Sequence, residues 1–132
     1  MLTDTMIRDA ETIRAALGNA ARDLELALER DAAARRAHTE AKQAYQDAEA
    51  EVAFELLHTA DGRNAEVRKA QADIGLIRAR NSGGLRTLWQ RLLVAQNEAD
   101  AAKVALEQMS KRYRATEAAA ELTTGMLRAV SR

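Results

Sequence analysis

The sequence predicts an all-α protein, folded as a long antiparallel helical hairpin of the coiled-coil type, and three observations carry this prediction. The chain of 132 residues contains no proline, the residue that most strongly interrupts helices. Charged residues make up 30% of it and aromatic residues only 3%, which favours a thin core between extended helices. Apolar residues recur with a heptad period over most of the chain. We therefore expect one helical domain spanning residues 1–132.

The first helix is predicted over about residues 4–58, because one heptad repeat runs through it without a change of register. Its core positions are Met6, Ala10, Ile13, Leu17, Ala20, Leu24, Ala27, Asp31, Ala34, His38, Ala41, Tyr45, Ala48 and Val52. Only Asp31 and His38 depart from the apolar pattern. Asp31 is either solvated near Arg91 or a polar core residue that sets the register. Gly18 costs about 1 kcal/mol relative to alanine, which is too little to end this helix.

A turn is predicted at residues 59–63, between two long helical segments. Gly62 can adopt a positive φ after the end of a helix. Asp61 or Asn64 can cap the N-terminus of the next helix, and Glu66 would then lie in its first turn. The second helix is therefore expected over about residues 64–130.

The second helix carries a heptad repeat in two sections, joined near a pair of glycines. The first section has its core positions at Val67, Ala70, Ile74 and Ile77. The second has them at Leu85, Leu88, Leu92, Ala95, Ala99, Ala102, Leu106, Met109, Tyr113, Thr116, Ala120, Thr123, Leu127 and Val130. The join falls at Asn81–Gly84, where Gly83 and Gly84 disfavour a helix. The helix is either kinked or broken there, and we favour a kink because the repeat resumes nearly in register.

Folding the chain at residues 59–63 would place residue i opposite residue 122 minus i. Tyr45 would then face Ile77, and residues beyond about 118 would have no partner within the chain. Several large apolar side chains lie off the core positions, where two helices do not cover them. These are Leu26, Leu28, Phe54, Leu93 and Val94. We expect a second chain to cover them, most simply in a two-fold dimer, and hairpins to associate into a helical bundle.

The sequence shows no recognisable catalytic or metal-binding motif. It has no glycine-rich phosphate loop, no nucleophile elbow and no His-Glu-x-x-His sequence. Cysteine is absent, and the two histidines, His38 and His58, are not at metal-ligand spacing with other donors. We therefore expect no catalytic residue, no cofactor and no metal site.

No segment approaches the ~18 consecutive apolar residues that indicate a membrane-spanning helix. Charged residues at Asp4, Arg8 and Asp9 interrupt any secretory signal peptide. These features favour a location in the cytoplasm.

The two halves of the chain carry opposite charge, although the net charge is zero. Residues 1–61 hold 7 basic and 13 acidic side chains, and residues 62–132 hold 13 basic and 7 acidic ones. The basic side chains concentrate between residues 63 and 91, and we expect acidic side chains of the facing helix to neutralise them. Those acidic residues are Glu40, Asp47, Glu49, Glu51 and Glu55. In the alternative hypothesis the basic stretch binds a phosphate backbone.

The predicted turn resembles that of small phage-encoded coiled-coil proteins, which carry Gly-Lys/Arg-Asn-Ala-Glu-x-Arg between two long helices. The matching residues are Gly62, Arg63, Asn64, Ala65, Glu66 and Arg68. The motif covers less than a tenth of the chain, and the helix–turn–helix layout extends the likeness over most of it. The resemblance implies a bacteriophage or prophage origin, and with it a location in the cytoplasm of a bacterial host cell or in a virion. It carries over no functional residues.

We therefore predict a non-enzymatic structural or interaction protein that acts through helical oligomerisation or by binding another protein. Partner contacts are expected from residues near the turn and in the basic stretch. These are Arg63, Asn64, Arg68, Arg86 and Arg91. The alternatives are a nucleic-acid-associated accessory protein that uses residues 63–91 and a small inhibitor that docks on a host protein.

Overall fold

A computed structural model describes residues 3–62 and 64–131, and this part of the chain is helical without any strand. Helix α1 spans Asp4–Thr59, α2 spans Ala65–Arg80 and α3 spans Gly83–Ser131. The all-α prediction is confirmed, and α1 packs against the later helices as in a helical hairpin. The helices form two compact units. One brings α1 up to Ala33 against α3 from Asp100, and the other is Ala34–Ala99.

The heptad repeat of α1 lies in the helix contacts as predicted. Every predicted core position from Met6 to Val52 is buried or half-buried, and Ala10, Ala20 and Ala27 are among the most buried. Asp31 is buried as well, which excludes its solvated alternative. Small core residues let the helices approach closely, because alanine adds only one methyl group between two backbones.

The second section of the later repeat is also confirmed. Each predicted core position from Leu85 to Val130 is buried or half-buried in α3. In the unit that contains both chain ends, Met6 and Ile13 of α1 line a cleft together with Thr123 and Leu127 of α3. The expectation that residues beyond 118 lack a partner within the chain is therefore wrong.

The pairing register explains that error. The rings of Tyr45 and Trp89 lie 5.3 Å apart, and Arg112 Nη1 lies 3.2 Å from Asp23 Oδ2. The numbers of facing residues thus add up to about 134 for α3, and to 129 for Glu49–Arg80 and 131 for Leu56–Gly75 in α2, not to 122. Asn64 has the extended backbone angles φ −141° and ψ 170°, and an extended residue advances about 3.3 Å against about 1.5 Å in a helix. The loop adds one part of the shift and the interruption between α2 and α3 adds another, since the sums are larger for α3. Residues 64–71, at the start of α2, are all exposed.

The later helix is broken at Asn81 and Ser82, and the kink that we favoured is wrong. Asn81 has φ −95° and ψ 3°, and Gly83 has φ +63°. The Asn81 side-chain amide donates to the carbonyl of Ile77 at 3.0 Å, and the Ser82 hydroxyl donates to that of Arg78 at 2.9 Å. The carbonyl of Arg78 also accepts the Asn81 backbone N–H at 3.2 Å, so side-chain and backbone donors together bind the carbonyl groups at the end of α2.

The two glycines at this break should respond oppositely to alanine. Gly83→Ala forces a Cβ onto a left-handed backbone, so we expect the free energy of unfolding to fall by about 1–2 kcal/mol. Gly84→Ala meets no atom within 4 Å and has no positive φ, so we expect a gain of up to about 1 kcal/mol from helix propensity. Urea denaturation followed by circular dichroism measures both. A loss of equal size at both positions would contradict the assigned backbone.

Helix α2 packs through small residues, and its predicted core positions are wrong. Ala72 is buried, and a Cβ added at Gly75 would lie 2.8 Å from Leu56 Cδ2. Val67, Ala70, Ile74 and Ile77, the predicted core, are instead exposed. Because the lack of a side chain at Gly75 permits close approach to Leu56, the small face of α2 turns inward and the large face turns outward.

Candidate interaction surfaces

The most distinctive surface lies on the outer side of α2. We call Val67, Ala70, Ile74 and Ile77 the α2 apolar stripe. Val67 is 42% exposed, Ile74 52% and Ile77 55%. At about 100° per residue the four side chains fall within an arc of about 80°, directly opposite the face that contains Ala72. Helix α2 is thus apolar on two opposite sides, and its own chain covers only one of them.

Charged side chains run along one edge of the α2 apolar stripe. By helical geometry this edge carries Glu66, Lys69, Asp73 and Arg80, all of them exposed. Within residues 3–62 and 64–131, no ion pair engages the first three. Acidic and basic groups alternate along the edge. Such an edge can pair with another alternating edge on which each charge meets one of opposite sign.

Arg80 belongs to a second feature, a cleft of about 400 Å³ between α1 and the α2–α3 break. Tyr45, Glu49, Arg80, Asn81 and Trp89 line it. Arg80 donates to both carboxylate oxygens of Glu49, from Nη2 at 2.9 Å and from Nε at 3.3 Å. This hydrogen bonding lowers the pKa of Glu49, whereas burial and then the nearby Glu49 carboxylate raise the pKa of Tyr45. The ion pair between Arg80 and Glu49 thus connects the end of α2 to α1.

The Glu49–Arg80 pair predicts a specific acid sensitivity. A carboxylate with a lowered folded-state pKa stabilises the protein above its unfolded pKa, about 4.3, and this contribution is lost as pH falls through the folded value. We expect Glu49→Gln to cost a little stability at neutral pH and to flatten the loss of stability on acidification below about pH 5. Denaturation curves across a pH series measure this effect. Glu51→Gln, which removes an exposed carboxylate two residues away, is the matched control for the loss of one negative charge.

The residues predicted to contact a partner differ in what the structure shows of them. The Asn64 side-chain oxygen accepts the Val67 N–H at 2.9 Å, so this residue caps α2. Arg63 lies outside the described residues. Arg68, Arg86 and Arg91 are exposed.

Arg86 and Arg91 do not form one basic face. The two residues are five positions apart in α3, which turns their side chains about 140° away from each other. Arg80, another member of the basic stretch, is already bound to Glu49. Glu49 is one of the acidic residues expected to neutralise that stretch. The structure therefore does not gather these arginines into a single phosphate-binding surface.

The predicted oligomer-interface residues are all exposed. Leu26 lines a cleft with Met109 of α3, and Leu28 lies on another side of α1 because two residues separate by about 200°. Phe54 stacks on His58 with ring centres 4.3 Å apart. The remaining two residues are Leu93 and Val94. These side chains stay candidates for contacts with other molecules.

The sequence interpretation missed two features. The α2 apolar stripe was assigned to the core, although small residues at 72, 75 and 79 mark the opposite face as the one that allows close packing. The cleft between Tyr45 and Trp89 was missed because the assumed register set Tyr45 opposite Ile77. The small residues at helical spacing could have indicated the outward position of the α2 apolar stripe. No local pattern in the sequence indicated the cleft between Tyr45 and Trp89.

Among the helices of residues 3–62 and 64–131, none is long and apolar enough to cross a membrane. The same residues contain no group of three or more histidine, aspartate or glutamate side chains placed to hold a metal ion.

Comparisons of this chain with protein-family models, with curated proteins and with solved structures found no match. The functional argument therefore rests on the surfaces described above.

Proposed function

We propose that this chain is a non-enzymatic interaction protein that acts through self-association, most simply as a two-fold dimer. The observation that supports the proposal is how its apolar side chains are distributed between the helix contacts and the surface. Small side chains fill most of the helix contacts, whereas many large ones stay exposed. The exposed ones are Ile7, Leu26, Leu28, Phe54, Leu57, Val67, Ile74, Ile77, Trp89, Leu93, Val94, Val104, Leu122 and Met126.

The exposed area supports the same proposal. The chain exposes 9930 Å² at a mass of 14.5 kDa, whereas a compact monomer of that mass exposes about 6,900 Å². Specific protein interfaces bury roughly 1,200–2,000 Å² in total, so the excess area is ample for one. The turn resemblance adds a bacteriophage or prophage origin to the proposal, with the chain as a structural or partner-binding component.

Sedimentation equilibrium over a wide range of protein concentration tests self-association. We expect the weight-average mass to rise above the 14.5 kDa of one chain and to approach twice that value. The same measurement in high salt separates apolar association, which persists, from charge-driven association, which weakens. A constant mass of one chain up to millimolar concentration would overturn the proposal.

A further inference from the structure

We propose that the α2 apolar stripe is the two-fold contact between two copies of this chain, with their α2 helices packed antiparallel. This inference rests on the proposed self-association and names the surface that performs it. Val67, Ile74 and Ile77 are β-branched residues at heptad spacing, a pattern typical of buried core positions in paired helices. They lie on the outside of α2, whose inner face is made of Ala72, Gly75, Leu76 and Ala79.

The chain cannot bury the stripe by turning α2 around. The Gly75 backbone approaches Leu56 so closely that a Cβ at residue 75 would lie 2.8 Å from Leu56 Cδ2. Turning α2 by half a turn would bring Ile77 to the side of the helix now occupied by Gly75 and Ala79, where even a Cβ at residue 75 would meet Leu56. The caps at Asn64 and Asn81 also hold the two ends of the helix. A second molecule is therefore needed to cover the stripe.

The stripe is complementary to itself when two copies run antiparallel. With a two-fold axis at the level of residue 72, Val67 lies opposite Ile77 of the partner subunit. Ala70 then lies opposite Ile74 of the partner subunit. Each large side chain thus meets an apolar side chain, and Ile74 meets the smallest member of the stripe. An antiparallel pair of identical helices satisfies two-fold symmetry, in which one surface patch contacts its own copy.

The charged edge selects this antiparallel arrangement. A two-fold axis between antiparallel helices brings each edge of the stripe against the same edge of the other copy. Asp73 then lies within about two residues, or ~3 Å along the axis, of Lys69 of the partner subunit. Glu66 lies equally close to Arg80 of the partner subunit. Arg80 is also bound to Glu49 of its own chain, so the two Asp73–Lys69 pairs are the contacts in which opposite charges that are otherwise unpaired within the described residues meet in the dimer.

A parallel pair would instead place this charged edge against the opposite edge of the stripe, which carries Gln71 and Arg78. Asp73 would then lie within about two residues of the uncharged Gln71 of the partner subunit, and its attraction to Lys69 of the partner subunit would be lost. Two helices of 16 residues bury less area than the roughly 1,200 Å² of standard interfaces. We therefore expect a reversible dimer that forms at high protein concentration.

A charge exchange between two chains tests the contact directly. K69E places a carboxylate against Asp73 of the partner subunit, and D73K places an ammonium against Lys69 of the partner subunit. We expect each variant alone to associate about tenfold more weakly than the wild type, because two attractive pairs become repulsive. An equimolar mixture should regain wild-type association, since every facing pair is then of opposite charge. The readout is sedimentation equilibrium of each protein and of the mixture.

The mixture reports on contact between chains, because the charge that compensates each substitution is present only on the other chain. Circular dichroism should show unchanged helix content, since both side chains are exposed. A mixture that associates no better than its components would overturn the antiparallel contact. Ile74→Glu gives a second readout and should abolish association. Wild-type association that survives Ile74→Glu would place the interface elsewhere, overturning this inference while leaving self-association intact. A wild type that never associates would overturn both.

Discussion

Replacing Leu92 with alanine is expected to lower the free energy of unfolding by about 2–4 kcal/mol. Leu92 is 9% exposed and lies in α3 one turn from the buried Ala95. Removing a buried leucine side chain loses its transfer free energy and leaves a cavity that rigid neighbours fill only partly. Since most buried residues here are alanines, each buried leucine contributes a large share of the apolar area that leaves water on folding.

The adjacent residue provides a matched control. Leu93 is 41% exposed, so Leu93→Ala should cost less than about 1 kcal/mol. Urea denaturation at low protein concentration compares the two variants without a contribution from association. Equal losses at 92 and 93 would contradict the phase of the heptad repeat in α3, because the two side chains point about 100° apart.

Replacing Ala102 with leucine is expected to cost about 1–3 kcal/mol, although the new side chain is more apolar. Ala102 is only 1% exposed, and it packs where α1 and α3 approach through small side chains. Three further carbon atoms cannot fit unless the helices separate or neighbouring side chains leave their rotamers. Overpacking should therefore outweigh the gain in buried apolar area.

Ala101→Leu is the control, because Ala101 is exposed and leucine is nearly as good a helix former as alanine. It should change the free energy of unfolding by less than about 0.5 kcal/mol. Thermal and urea denaturation of both variants give the comparison. A stabilising Ala102→Leu would show that the interface has unfilled space at this position.

The heptad repeat was sufficient to predict α1 and α3, because burial in a long helix follows the 3.6-residue period over many turns. From Met6 to Val52, and from Leu85 to Val130, side chains at the predicted positions are the less exposed ones. The register was not predictable in the same way. It depends on how far a few loop residues advance, and one extended residue such as Asn64 moves the chain more than a helical one does.

Helix α2 shows why periodicity alone is insufficient. Its large residues repeat at heptad spacing, and its small residues repeat equally well on the opposite face. Only the close approach of Gly75 to Leu56 decides which face turns inward. The sequence predicted the Glu49–Arg80 pair only in part. Glu49 was among the acidic residues expected to neutralise the basic stretch, but its pairing with Arg80 followed only from the observed register.

The break at Asn81 and Ser82 uncouples the rotational phase of α2 from that of α3. In an uninterrupted helix, the side chains facing inward at Leu85 would dictate which side chains face inward three turns earlier. The break lets α3 turn Leu85, Leu88 and Leu92 inward, while α2 keeps the α2 apolar stripe on the outside. Because α2 is free of the phase of α3, the close approach of Gly75 to Leu56 determines which of its faces turns inward. Packing against α1, and not the continuation of the helix, thus determines which surface α2 offers to other molecules.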